Sequence, residues 1–338
     1  MNRAIFRGLL AALTGALAAP AVFAAAFLPT EVLVGGRPFY PIEGGLAYIQ
    51  AYNAAGIYQR DAAQLFNGHP RDALTFGNDV LFADVPGVVR MSPNGTLSLH
   101  ALSDYITASL AIDALGNVFL GVFGVAQDGS TPVVKLDGSG HQIALYSVPS
   151  DRLGATSMDL AADQCTLFYA CTGRHVKRYD TCQNKALPDV IDFGLGVFVR
   201  KIRILPDGSI LATANSRIVR LSPSGATLEV YGAGASNLWI SLSVTPDNRS
   251  FWAGSEGSGG GDQDQITEFD INTGAVLAGP IRTAIPSNPF FDLPPEFVLA
   301  VGEQRIAQIA PASIPTLSTM FEIALVALLT AVAVLRLR

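Results

Sequence analysis

Three cysteines, Cys165, Cys171 and Cys182, make the most definite chemical statement in the chain. Residues 165–172 read as a strand, Gly173-Arg174 as a two-residue turn, and His175 to Asp180 as the return strand. That register sets Cys165 opposite Cys182. Directly opposed Cβ atoms lie about 4.5–5.5 Å apart, and a small adjustment reaches the roughly 3.8 Å of a disulfide. Cys171 then faces Val176 as a buried thiol. Three reduced cysteines are the alternative. Metal binding is not expected here, because His175 is the only nearby histidine and no zinc-type spacing is present.

Catalytic patterns are harder to find. The four histidines, His69, His100, His141 and His175, fall in no arrangement with an acid and a nucleophile. Gly154-Ala-Thr-Ser-Met lacks the Gly-x-Ser-x-Gly elbow of a serine hydrolase. His141 and His175 read as solvated turn residues, and no catalytic residue is assigned. Asp262 and Asp264 alternate within Gly257-Ser-Gly-Gly-Gly-Asp-Gln-Asp-Gln, a sparse set of oxygen ligands for calcium. A long hairpin loop of the kind that carries recognition is the preferred reading.

The elements that would position such residues are strands. Four segments share one pattern of strand, short Asp/Gly/Asn turn and second strand. They begin at Leu110, Met158, Ile202 and Leu242, and a weaker copy begins at Ala73. Their turns, at Asp113, Asp163, Asp207 and Asp247, are spaced by 50, 44 and 40 residues. Each copy is followed by a marker strand such as Val88-Val-Arg-Met, Val133-Val-Lys-Leu or Ile218-Val-Arg-Leu, and Tyr48-Ile-Gln-Ala-Tyr also matches. A period of roughly 40–50 residues with four strands per unit is the signature of propeller blades. Apolar residues are expected to face neighbouring blades, with Arg or Lys at the rim. The expected fold is therefore all-β, a single β-propeller over residues 25–310 with six blades, or alternatively seven. The first blade lacks an opening strand, and Pro295 to Val301 could supply it and close the ring.

With 33 Gly, 20 Pro, 15% charged residues and a net charge of −6, the chain is rich in turns and poor in charge. Nucleic-acid binding is not expected, since phosphate neutralisation needs clustered Lys and Arg.

The ends carry addresses. Arg3 and Arg7 precede an apolar run from Gly8 to Ala19, then Val22-Phe23-Ala24 offers small residues at a cleavage site. This order is that of a secretory signal peptide over residues 1–24, with cleavage after Ala26 as the variant. At the other end, Thr319 to Leu335 is apolar apart from two Thr and Glu322. Its length is near the lower limit for a membrane-spanning helix. Arg336 and Arg338 follow and place that end on the cytoplasmic side.

Ile314-Pro315-Thr316-Leu317, with the apolar segment and the basic end, resembles the IPTL-CTERM sorting signal of Gram-negative bacteria over residues 314–338. The usual Ser-Glu-Trp is replaced by Ser318-Thr319-Met320. The resemblance implies recognition by a membrane-embedded sorting peptidase, removal of the helix and delivery to the cell surface. The Pro-Asp-Gly turns and Val-x-Arg-Leu-Ser-Pro strands resemble NHL and SMP-30/gluconolactonase-like propellers. Members of the latter group hold a divalent metal on the axis. Asp104, Asp159, Asn237 and Asp292 lie near inner-strand starts but share no register, so no metal site is carried over. The expectation is an exported, non-enzymatic protein that binds an extracellular ligand or matrix component. The alternative is a metal-dependent hydrolase or lactonase.

Overall fold

The computed structural model describes residues 31–36, 46–66, 70–84, 87–233, 238–256, 265–283 and 297–301. All regular structure in these residues is strand, arranged as six four-stranded antiparallel sheets. From axis to rim, the second blade comprises β4 (Asp72–Phe76), β5 (Asp79–Asp84), β6 (Gly87–Met91) and β7 (Leu97–Leu102). The third comprises β8 (Thr107–Ile112), β9 (Val118–Val122), β10 (Ser130–Leu136) and β11 (Gln142–Pro149). The fourth comprises β12 (Ser157–Leu160), β13 (Thr166–Ala170), β14 (His175–Asp180) and β15 (Lys185–Asp192). The fifth comprises β16 (Ile202–Ile204), β17 (Ile210–Ala214), β18 (Arg217–Leu221) and β19 (Thr227–Tyr231). The sixth comprises β20 (Leu238–Val244), β21 (Ser250–Glu256), β22 (Gln265–Asp270) and β23 (Val276–Arg282).

The first blade is composite. Its inner strand, β24 (Phe297–Ala300), comes from the far end of the body and pairs with β1 (Val32–Gly36), followed by β2 (Leu46–Tyr52) and β3 (Tyr58–Phe66). The register sets Val32 against Ala300 and Gly35 against Phe297. Gly35 has to be glycine, because a Cβ there would overlap the Phe297 ring. Inner strands touch in cyclic order, β24 to β4 to β8 to β12 to β16 to β20 and back to β24. The ring is thus a six-bladed β-propeller, closed by the strand expected from Pro295 to Val301. Among the described residues there is no seventh blade.

Burial explains why these segments become strands in this order. The inner and second strands are buried on both faces, as in β9 and β17, and so read as continuous apolar runs. Outer strands such as β15 and β23 are mostly exposed. The apolar core is divided into six clusters, one per blade junction. At the closing junction Val32, Val34 and Val298 pack against Trp252 and Ile266 of the sixth blade. No blade buries both faces alone, so stacking and ring closure are one condition.

The marker cations do not stand free at the rim as the alternation suggests. Lys135 Nζ lies 2.8 Å from Asp113, and Arg220 reaches Asp207 at 2.6 Å. Arg90 pairs with Asp79 in the same way. Each cation leans along its blade and ties down the first turn. The repeat register also needs one correction. The structurally equivalent turn residues are those in the left-handed conformation, Gly116, Gln164, Gly208 and Asn248. Asp113 lies three residues before Gly116, whereas Asp163, Asp207 and Asp247 directly precede their left-handed residues.

Candidate functional site

The site begins with the inner strands. Through the sheet registers, Asp72, Ser109, Ser157, Lys201 and Ser241 stand at one level of the ring. All five are buried. Three of them, Asp72, Ser109 and Ser157, stitch neighbouring blades together. Asp72 Oδ2 accepts the Leu110 N–H at 2.9 Å, Ser157 Oγ accepts the Ile202 N–H at 3.0 Å, and the Ser109 hydroxyl donates to the Ala155 carbonyl at 2.7 Å. One level further along, Asp159 Oδ2 accepts the Ile204 N–H at 2.9 Å and Ser243 Oγ accepts the Ala300 N–H at 2.8 Å. These bonds satisfy inner-strand amides that no ladder partner reaches.

Across the axis runs an ion triad. The second and fifth blades face each other in a ring of six, and Asp72 of one meets Lys201 and Arg203 of the other. Lys201 Nζ lies 2.5 Å and Arg203 Nη2 3.0 Å from Asp72 Oδ1. All three side chains are essentially inaccessible, at 1–3% exposure. Asp72 Oδ1 also accepts the Ala73 N–H at 3.0 Å. A carboxylate so fully bonded, with two cations against it, does not fit an axial divalent metal.

Above this plug, at the end where inner strands begin, opens a cavity of about 300 Å³. Arg71, Arg152, Arg200 and Lys201 line it, backed by Phe123 and Phe198. The Arg71 guanidinium sits 4.9 Å from the centre of the Phe123 ring, and that of Arg152 4.3 Å from Phe198. Such stacking holds the guanidinium plane while leaving its N–H edge to face a ligand. Arg200 reaches Glu256 at 3.3 Å, with both side chains 37% exposed. Near this end, His175 Nδ1 is 2.7 Å from Asp151 and its Nε2 is 3.4 Å from Asp192. His175 is therefore held between two carboxylates rather than solvated freely.

The opposite end of the ring has a second cavity, about 270 Å³, with Glu31, Asp247 and Glu268 among its walls. Burial raises the pKa of Glu268 above the usual glutamate value. The hydrogen bond from Ser250 Oγ, 2.6 Å, works against this, and the nearby Asp247 charge adds to it. The turn aspartates behave differently. For Asp113 burial raises the pKa, but the bonds from Lys135 and Asn117 outweigh it and hold the carboxyl below its ordinary value.

Cys165 and Cys182 are joined, with Cα atoms 5.3 Å apart. The ladder beside them is shifted by one residue from the expected register. Thr166 pairs with Asp180 and Tyr169 with Lys177, because left-handed Thr172 enlarges the connection. The disulfide therefore links two turns just beyond the strand ends. Cys171 is a buried free thiol, raised by burial to about 11. It packs in the cluster between the third and fourth blades, while Val176 packs in the next cluster, so the two do not face each other.

Among the other sequence candidates, Asp159 is an inner-strand residue and Asp104 is an exposed loop residue. Asn237, Asp262, Asp264, Asp292 and His69 lie outside the described residues. So do the signal segment, Ile314-Pro315-Thr316-Leu317, the span Thr319 to Leu335, and Arg336 and Arg338. No group of three or more His, Cys, Asp or Glu poised to hold a metal occurs among the described residues. Asp72 escaped sequence reasoning because the weak copy begins at Ala73, one residue too late. Lys201 and Arg203 carry no sequence signal for an axial role, since a cation on an apolar inner strand reads like any rim cation.

No family model matches the chain, and no curated protein matches it. Among solved structures, a protein of unknown function from Bacteroides caccae is similar with a TM-score of 0.58 at 12% identity, over 80% of this chain and 98% of its own. The WD40 β-propeller domain of Doa1 has a TM-score of 0.45 at 12% identity, over 62% of this chain and 68% of that one. At such identity the likeness is one of fold alone.

Proposed function

We propose that this is an exported, surface-sorted β-propeller that binds a partner and does not transform it. The observation that carries this reading is the axial triad of Asp72, Lys201 and Arg203. Where a lactonase of this architecture would need a metal-binding carboxylate set, the axis has a bonded ion plug. The plug serves as a floor, and the basic cavity above it is a recognition site. The Cys165–Cys182 disulfide supports an oxidising destination. The signal segment and the Ile314-Pro315-Thr316-Leu317 tail supply the route. A sorting peptidase removes the tail and leaves the propeller outside the cell.

Mass spectrometry of the surface-released protein tests this. A C-terminus between Ile314 and Leu317 supports sorting, whereas an intact peptide through Arg338 refutes it. A lactone-hydrolysis assay with added divalent metal tests the rest. Metal-dependent turnover by the parent protein would overturn the non-enzymatic reading, and its loss in Asp72→Asn would place the chemistry on the axis.

A further inference from the structure

We propose that the basic cavity binds a small organic molecule carrying two or more oxyanion groups, of di- or tricarboxylate size. This rests on the binding reading above and names the ligand class for that site. The chain as a whole carries a net charge of −6, yet four of the cavity's eleven lining residues are cations and none is a carboxylate. Lys201 is already tied to Asp72 and Arg200 to Glu256, so the charge that draws anions into the mouth rests chiefly on Arg152 and on the exchangeable Arg200.

The geometry of two arginines makes the ligand class specific. Arg152 is stacked on Phe198 and makes a single long hydrogen bond, 3.5 Å, to the Thr172 carbonyl. Its fork of donors is thus fixed in direction and not consumed by a carboxylate. Arg200 is held by Glu256 in a half-exposed pair. Such a half-exposed pair is weakly held, so an entering oxyanion competes with Glu256 for the guanidinium. Bidentate recognition of carboxylate or phosphate is the chemistry both residues are suited to. The aromatic and aliphatic backing, Phe123, Phe198 and Ile240, favours a ligand with a carbon frame over a bare inorganic ion. A volume of about 300 Å³ is at the lower end for small-molecule sites, roughly 300–1,000 Å³.

The test is isothermal titration calorimetry on the full chain in detergent, with citrate, inorganic phosphate and glucose as probes. Citrate is expected to bind, phosphate to bind at least about tenfold more weakly, and glucose not at all. Affinity should fall as salt rises from about 0.05 to 0.5 M. The pair Arg152→Gln and Arg200→Gln should weaken citrate at least about tenfold with thermal unfolding unchanged, because both side chains reach solvent. Glu256→Gln should tighten it. Absence of citrate binding, or equal binding by the double variant, overturns the assignment. Phosphate binding as tight as citrate overturns the organic frame. NMR of the recovered citrate separates the two readings. Altered citrate supports the anion site while refuting the non-enzymatic role. Unbound, unchanged citrate refutes the site alone.

Discussion

At one end of the axis Arg71, Arg152, Arg200 and Lys201 surround open space. At the other, Asp113, Asp163, Asp207 and Asp247 curl back onto their own turns. Asp113 Oδ1 accepts the N–H groups of Leu115 and Asn117, both at 2.9 Å, and its second oxygen takes Lys135. These carboxylates hold β-turns, and Asp113 and Asp207 also anchor the marker strand. Their depressed pKa values follow from those bonds outweighing burial. The turn end uses charge to set the shape of the ring, whereas the cavity end gathers four cations around open space, with Lys201 tied to Asp72 and Arg200 to Glu256. A conspicuous row of acidic residues in the sequence is therefore a structural feature, while the less regular arginines line the cavity.

The largest expected effect comes from breaking the plug between the two ends. Asp72→Ala leaves Lys201 and Arg203 buried against each other. Removing one partner of a buried ion pair costs about 3–5 kcal/mol. Chemical denaturation should register that loss, and a change under about 1 kcal/mol would show that the triad does not hold the axis. Asp113→Ala, at the turn end, should cost less, about 1–3 kcal/mol, the penalty for removing a buried carboxylate that caps its turn and pairs with Lys135.

Next in size is the staple of the fourth blade. In the second, third and fifth blades a cation ties the first turn to the marker strand. In the fourth, Arg178 instead donates to the Pro188 carbonyl at 2.9 Å, and the Cys165–Cys182 bond links the turns. Closing a loop of this length, 17 residues, stabilises by about 3 kcal/mol on the chain-entropy account. Cys182→Ser should lower stability by about that amount. A loss no larger than that of Lys135→Met in the third blade would mean that the disulfide adds nothing beyond an ion-pair tether.

The sequence made the ring legible because inner strands buried on both faces leave unmistakable apolar runs. Exposed outer strands such as β23 left little trace, with Val276, Leu277 and Ala278 pointing to no single face. The closing strand, β24, could be inferred because a blade with one strand missing cannot close. Asp113 and Asp207 look alike in sequence but occupy different places in their turns. Backbone handedness, carried by Gly116 and Gly208, is what defines that position. The axial site was least legible, since Asp72 and Lys201 are 129 residues apart. They meet only because the second and fifth blades stand opposite each other, which depends on counting six.

The sixth blade offers the finest test of the turn-end logic. Its marker strand has Glu268 where the second, third and fifth have Arg90, Lys135 and Arg220, so two carboxylates, Glu268 and Asp247, share one corner. Because burial raises the folded-state pKa of Glu268, the fold binds its proton more tightly than the unfolded chain does. That contribution is full below the ordinary glutamate value, about 4.3. It is lost as pH rises through the raised folded value. Glu268→Gln should remove this slope, leaving thermal stability flatter between pH 4 and 7 than in the parent. Glu268→Lys should go further and restore the pairing of the other blades, gaining about 0.5–1 kcal/mol at pH 7 through Asp247. Equal pH slopes in parent and Gln variant would show that Glu268 is not the group titrating. A destabilised Lys variant would show that the corner is built around Ser250 and its 2.6 Å bond rather than around charge.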